Sequence, residues 1–370
     1  MGVTPWWCTH CARIPGVFPV FLEKPWSRRL IFIAVTGTVA FAALIAVALV
    51  SNWHGKRPMA TQSTAVSSSS ALPSPLSSVA PTRNTHCAVA PGACGFPDAS
   101  SSGIPSGTKL VNVPGDVDHG PGWAWAAGEV NITRRGAVFS GYRVAGTVNV
   151  AANGVTVQNC VVSFPGGGGN SFGIAIRHAS NTTVQHCDIA GPVAAGGTDP
   201  NRLTGGVKDI YGDETGTRVL ANNIHDAACG VQLDSGLVQD NYIHNTATDG
   251  GDHVNGVMSN SGGALTIKHN TIFNQIGQTS AIALYEDFGL QHDKTVTDNL
   301  LAGGGYTIYG GGPDHGRGQP SNMQFTNNRF ATIYQPRSGY YGPVAYYDKT
   351  APGNTWTGNI WDNSSKTLQP

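Results

Sequence analysis

The densest concentration of reactive side chains is Asp249-Gly250-Gly251-Asp252-His253-Val254-Asn255-Gly256. Two carboxylates and an imidazole fall within five residues, on glycines that suit a tight loop. An imidazole exchanges protons near neutral pH, and a carboxylate beside it can serve as base or cation ligand. The plain structural reading is a turn whose Asp and His cap backbone groups.

Two further stretches carry similar chemistry. In Val207-Lys208-Asp209-Ile210-Tyr211 an extended backbone puts Asp209 and Tyr211 on one face, Lys208 and Ile210 on the other. Lys208 acts as a base only where desolvation or nearby positive charge lowers its pKa. In Tyr285-Glu286-Asp287 adjacent acids supply hard oxygen donors, and with Asp249 and Asp252 they predict a shared Ca2+ site. Arg177 and Arg202 can each grip a substrate carboxylate through two parallel bonds. His225, Tyr211 and Tyr309 complete a predicted binding set, and His244 joins Asp252, His253, Lys208 and Asp209 as catalytic candidates. For the basic residues a solvated surface role, and for the acids ordinary solvation, are the competing readings. The chain has no EF-hand pattern and no compact His-x-x-x-His zinc motif.

Residues this far apart meet only if the fold repeats, and the sequence does repeat. An apolar residue, two variable positions, usually Asn, one more variable position and an apolar residue recur eight times, beginning at Val157, Val184, Val219, Val238, Ile267, Val296, Phe325 and Trp356. The fourth positions are Cys160, Cys187, Asn222, Asn241, Asn270, Asn299, Asn328 and Asn359. The steps of 27, 35, 19, 29, 29, 29 and 31 residues fall short of a propeller blade of about 40–45 residues. A sandwich gives no reason to repeat Asn at one strand position. Short Val- and Ile-rich segments separated by Gly, Asn, Asp and Ser, with no amphipathic helix between them, predict an all-β, single-stranded right-handed parallel β-helix. Its coils would lie about 4.8 Å apart. The Asn side chains would stack at a bend, bonding to the backbone and to the Asn above. Residues 105–150 read as irregular first coils, with Trp123 and Trp125 covering that end; Trp356 and Trp361 belong to the last coil and its cap.

Composition divides the chain. Residues 1–86 hold seven Lys or Arg and one acid, Glu23, whereas 87–370 hold 15 Lys or Arg against 21 Asp or Glu. The second part is therefore acidic, near −6, and lacks the basic footprint of a nucleic-acid binder. We read 1–29 as a cytoplasmic tail and 30–50, 21 residues without a charge, as a transmembrane signal anchor or signal peptide. Residues 51–86, rich in Ser, Ala, Pro and Thr, read as a linker. Residues 87–370 are the β-helix. The expected location is extracellular, anchored through 30–50 or secreted, as a monomer. Cys8-Thr9-His10-Cys11 supplies too few ligands for a zinc site by itself. Cys87 and Cys94 suit a small disulfide loop in an exported domain. Cys160 and Cys187 occupy stacked slots, as two thiols or a disulfide, and Cys229 has no evident partner.

From Cys94 to Trp361 the chain resembles the secreted β-helix proteins of the pectate-lyase-like superfamily, nearest to its actinobacterial members. The resemblance is carried by Cys94-Gly95-Phe96-Pro97, Val113-Pro114-Gly115, Pro121-Gly122-Trp123 and Phe139-Ser140-Gly141-Tyr142. It implies the fold and a polysaccharide or cell-wall glycan as partner. Related proteins often carry a His-Asp pair before an inward Gly-aliphatic strand. Here the order is Asp252-His253, and Val254-Asn255 intervene before Gly256.

Three functions fit these residues. A polysaccharide lyase would neutralise a uronate carboxylate with Ca2+ and Arg or Lys, remove the adjacent proton with a base and expel the glycosidic oxygen. A glycoside hydrolase would use two carboxylates drawn from Asp209, Asp234, Asp249, Asp252 and Glu286. A noncatalytic wall-binding solenoid would present an aromatic platform built from Tyr306, Tyr309, Tyr334, Tyr340, Tyr341, Tyr346 and Tyr347. Lyase chemistry is the first expectation.

Overall fold

The computed structural model describes residues 86–166, 171–192, 198, 201–312 and 318–370. Three sheets of ten, eleven and nine strands run the length of a right-handed β-helix, and nearly all their pairings are parallel. We call them sheets I, II and III. A coil passes from sheet III through a bend into sheet I, then into sheet II and back to sheet III. Thr183–Gln185, Asp188–Ala190 and Leu203–Asp209 make one such coil.

The repeat maps onto this geometry residue for residue. Its first position lies in sheet III, with Val184 opposite Val157 and Val219, and Val296 opposite Ile267 and Phe325. Its sixth position lies in sheet I, where Ile189 faces Val162 and Ile224. Both point into the core and are fully buried along most of the stack. The Asn between them sits at the bend. Asn222, Asn241, Asn270 and Asn299 each donate from Nδ2 to the next Asn Oδ1 at 2.9–3.0 Å. The same Oδ1 also accepts from the backbone N–H one coil away, as Asn270 does from Asn241 at 2.9 Å. The ladder satisfies donors that a tight bend would otherwise bury without partners. Cys187 joins it by donating its backbone N–H to Asn222 Oδ1 at 2.9 Å. Cys160 and Cys187 are buried free thiols, whereas Cys87 and Cys94 form a disulfide with Cα atoms 5.6 Å apart.

Sheet II approaches sheet I through a column of glycines. A Cβ on Gly173, Gly206, Gly230 or Gly256 would meet a sheet I isoleucine Cγ2 at 2.2–2.5 Å and the backbone oxygen of the next coil at 2.5–2.8 Å. Each of these glycines precedes a core aliphatic: Ile174, Val207, Val231 or Val257. The close approach of sheet II to sheet I therefore depends on missing side chains.

Both ends are closed by aromatics. Trp123 is buried edge-on against Phe139 and Tyr142, within an antiparallel extension of sheet II. Trp356 packs on Phe325 and Phe330 and donates Nε1–H to the Leu368 carbonyl at 2.7 Å. The segment from His86 onward straps the outer face of sheet I. It starts at the last coil, where Asp362 accepts the N–H groups of Cys87 and Ala88. It then passes Phe273, Leu300 and Ala302, and Gly103 donates to the Ala221 carbonyl.

One expectation is corrected here. The described helical pieces are 3-10 turns of three and four residues, far below the ~20 that span a bilayer. Among the described residues no helix is long and apolar enough to cross a membrane. That finding overturns the reading of a transmembrane signal anchor, and with it the membrane as a partner. Residues 30–50, on which that reading rested, lie outside the described residues, as do the tail and linker.

Candidate functional site

The outer face of sheet II gathers more of the candidates than any other surface. At the edge where strands enter this sheet, Arg202 precedes Leu203–Asp209, and Asp252 and His253 precede Asn255–Ser259. Arg202 donates from Nε to Asp252 Oδ2 at 2.6 Å, and its Nη2 reaches the other Asp252 oxygen. The same Nη2 lies 3.1 Å from Asp249 Oδ2. Asp249 in turn donates its N–H to Asp252 Oδ2 at 2.8 Å. The Asp-rich loop is therefore an ion-paired clasp around a buried guanidinium; burial raises the Asp249 carboxyl, but the Gly251 N–H bond and then Arg202 outweigh it and hold the group below its ordinary range. His253 stands exposed beside it.

Lys208 stands on the floor. Its ammonium lies 5.4 Å from the Phe172 ring centroid, and among the described residues it makes no hydrogen bond or ion pair. One coil on, burial pushes the Cys229 thiol up to about 12, with Lys208 acting against that shift and Asp252 with it. Across the strands, coil by coil, Lys208 is followed by Gln232, Met258, Ala283 and Tyr309 in register. Met258 and Ala283 are buried in the middle of this row.

At its far end the row opens onto tyrosines. Tyr309 has ring centroids of Tyr285, Tyr306 and Tyr346 at 5.2, 5.6 and 5.7 Å. Tyr306 extends the group to Tyr341, and Tyr341 to Tyr340. Tyr340, Tyr341 and Tyr346 are 56, 57 and 53% exposed, which makes them a solvent-facing platform rather than core. Burial raises the Tyr309 hydroxyl to about 12, so it stays a neutral hydrogen-bond donor. Tyr334 and Tyr347 do not join: Tyr334 packs on Phe273, and Tyr347 on Phe325 and Trp356.

No family model matches the chain, and no curated protein matches it. The parallel solenoid is consistent with the pectate-lyase-like fold and with a carbohydrate-active protein. No match supports the narrower actinobacterial affiliation.

The remaining candidates lie elsewhere. Asp209 is buried in the turn leaving sheet II, where it accepts the N–H groups of Tyr211, Gly212 and Glu214. Arg177 donates to Asn149 Oδ1 at 3.1 Å. Glu286 and Asp287 follow Ser280–Leu284, so they leave sheet II at the end opposite Asp249 and Asp252. The four predicted calcium ligands are not brought together.

His225 and His244 lie on the outer face of sheet I. His225 donates to Asp226 at 2.6 Å and points its other nitrogen at Asp188, 3.4 Å away. Burial lowers its pKa, but these two acids overcome burial and hold it at about 9. His244 stacks on Tyr242 at 3.9 Å and donates Nε2–H to Asn223. Burial, aided by the charge on His225, keeps it near 4. Two neighbouring imidazoles therefore carry different charges.

One group was not anticipated. His178, Asp213 and Glu214 converge where successive coils leave sheet II and could hold a divalent ion. His178 Nδ1 lies 2.7 Å from Asp213 Oδ2, and Tyr211 stacks on the imidazole at 4.0 Å and 2°. The signal was present in the register. Ile176 pairs with Asp209, so residues 178 and 211–214 were bound to be neighbours. The 35-residue step between these coils concealed the match.

Proposed function

We propose that this protein engages an extracellular polysaccharide on the outer face of sheet II, with the tyrosine platform as the principal contact. The observation that carries this reading is the contiguous group Tyr306, Tyr309, Tyr340, Tyr341 and Tyr346, three of whose members are more than half exposed. Flat amphipathic rings bury sugar faces while their hydroxyls remain available for hydrogen bonds. The platform lies in line with Lys208, so a chain laid along the coils would present an acidic group to an uncommitted cation. The test is saturable binding of the purified chain to a panel of neutral and uronate-containing glycans. Tyr341→Ala and Tyr346→Ala should weaken it. Unchanged affinity in both variants, or no saturable binding to any glycan, would remove the reading.

Lys208 favours a second reading, cleavage of a uronate glycan by β-elimination. Having lost its proton to solvent, a lysine there would take the proton from the carbon beside a uronate carboxylate; that electron pair forms the double bond as the bond to the glycosidic oxygen breaks, and the departing oxygen takes a proton from solvent. Asp252 and His253, at the mouth of the same face, are the remaining candidates. A calcium ion would supply charge neutralisation in such a reaction. The donors of His178, Asp213 and Glu214 suit a softer ion, and Asp249 and Asp252 are paired with Arg202, so no step is assigned to calcium. Ultraviolet absorbance of an unsaturated product, lost in Lys208→Met, supports elimination. New reducing ends without that absorbance would point instead to a hydrolase.

A further inference from the structure

His178, Asp213 and Glu214 lie away from the tyrosine platform, and one ligand atom from each falls within 4.8 Å of the others. Glu214 is only 6% exposed. Its Oε2 accepts from the Ser180 hydroxyl at 3.2 Å, but Oε1 is buried and accepts no hydrogen bond. A buried carboxylate oxygen without a donor is costly, and here the adjoining charged group is another carboxylate, Asp213. Such an arrangement calls for a cation among the three side chains. Tyr211, flat against the imidazole, fixes the plane in which His178 presents Nδ1. Ser180 likewise orients Glu214, as outer-shell partners orient metal ligands.

We propose that His178, Asp213 and Glu214 form a binding site for a divalent cation of the zinc class, with one nitrogen and two carboxylate ligands. An imidazole ligand selects zinc and its transition-metal neighbours over calcium, which takes oxygen donors. In a tetrahedral zinc site ligand atoms lie about 3.3 Å apart. The His178–Asp213 pair, now at hydrogen-bond distance, must open by roughly half an ångström as the ion replaces the bridging proton. Both side chains are exposed, 65 and 49%, and free to make that adjustment. Their exposure also leaves the remaining coordination position to solvent.

The test is equilibrium dialysis of the full chain against Zn2+, with Ca2+ in parallel. Cys8→Ser and Cys11→Ser are placed in every variant, so that thiolates of the N-terminal region cannot contribute. The parent should take up one Zn2+ per chain and gain thermal stability from it. His178→Ala and the isosteric Glu214→Gln should take up none and lose the zinc-dependent rise in melting temperature. His178 is exposed, so its substitution leaves the fold intact, as circular dichroism would verify. A parent that binds no Zn2+, a His178→Ala protein with undiminished stoichiometry, or an equal response to Ca2+ would each overturn the proposal.

Discussion

Arg202 and Asp252 are fifty residues apart in sequence and joined by two parallel bonds, one of 2.6 Å from Nε to Oδ2. The Arg202 side chain is 7% exposed and that of Asp252 12%. Removing one member of so buried a pair leaves an uncompensated charge. Arg202→Met is therefore expected to destabilise the protein by roughly 3–5 kcal/mol, measured by urea unfolding. Asp249→Asn, at a carboxylate one-third exposed, is expected to cost about 1 kcal/mol or less. A loss for Arg202→Met no larger than that for Asp249→Asn would show that the clasp adds little to the fold.

Asn270 sits mid-ladder. It accepts from Asn241, through both backbone and side chain, and donates to Val238, Lys268 and Asn299. Asn270→Ala strips partners from groups that no water can reach. At about 1–3 kcal/mol for each unsatisfied buried group, a loss of at least 3 kcal/mol is expected. Asn359, at the last rung, donates from its side chain to the Phe325 carbonyl, and its Oδ1 accepts from Asn328. Asn359→Ala should cost clearly less, and equal losses at the two positions would refute a ladder that propagates stability coil to coil.

The contrast between ladder and clasp explains what could be read from the sequence. The apolar–x–x–Asn–x–apolar phrase is local, and stacking converts its period directly into register. Val184, Asn222 and Ile189 therefore fall where the spacing puts them. The Cys87–Cys94 loop is equally local. The site candidates sit in insertions of unequal length, whose course is set by partners elsewhere. Nothing local tells that Arg202 turns back to Asp252, or that His244 faces the strap side rather than the face bearing Lys208. His178 and Asp213 escaped notice for the same reason, although the paired strands before them already fixed their proximity. The tyrosine platform was half legible: Tyr306, Tyr309, Tyr340, Tyr341 and Tyr346 share one surface, while Tyr334 and Tyr347 were drawn into other packing.

The two histidines on sheet I should shape the pH dependence of stability. His225, held at about 9 against an ordinary 6.5, stabilises fully below pH 6.5 and loses that contribution as the pH climbs through 9. His244, held near 4, works the other way: below 6.5 the unfolded chain takes up a proton that the folded one resists, so stability falls as the pH drops toward 4. Each limb is worth roughly 3 kcal/mol. The hydrogen bonds of Asp188 to His225 and Asn223 outweigh its burial and lower its pKa, which adds a further loss at more acidic pH. Urea midpoints are expected to peak near pH 6.5. His244→Phe should flatten the acid limb and His225→Gln the alkaline one. A parent whose midpoint does not change between about pH 6.5 and 9 would contradict the assignment for His225.

The tyrosine platform and Lys208 make separable contributions to the proposed function. Exposed rings at the centre of a binding surface typically contribute 1 kcal/mol or more each, so Tyr341→Ala and Tyr346→Ala should weaken glycan binding roughly tenfold apiece. Tyr334→Ala, at a ring packed on Phe273 outside the platform, should leave affinity unchanged. Tyr347→Ala, which opens the contact with Phe325 and Trp356, should lower thermal stability while sparing affinity in the folded fraction. Lys208→Met keeps the aliphatic stem over Phe172 and removes only the charge. It should reduce binding of uronate glycans and leave neutral glycans unaffected, as measured by affinity electrophoresis at low and high salt. If Lys208→Met reduced both glycan classes equally, the lysine would be a packing element of the groove floor. The elimination reading would then lose its base.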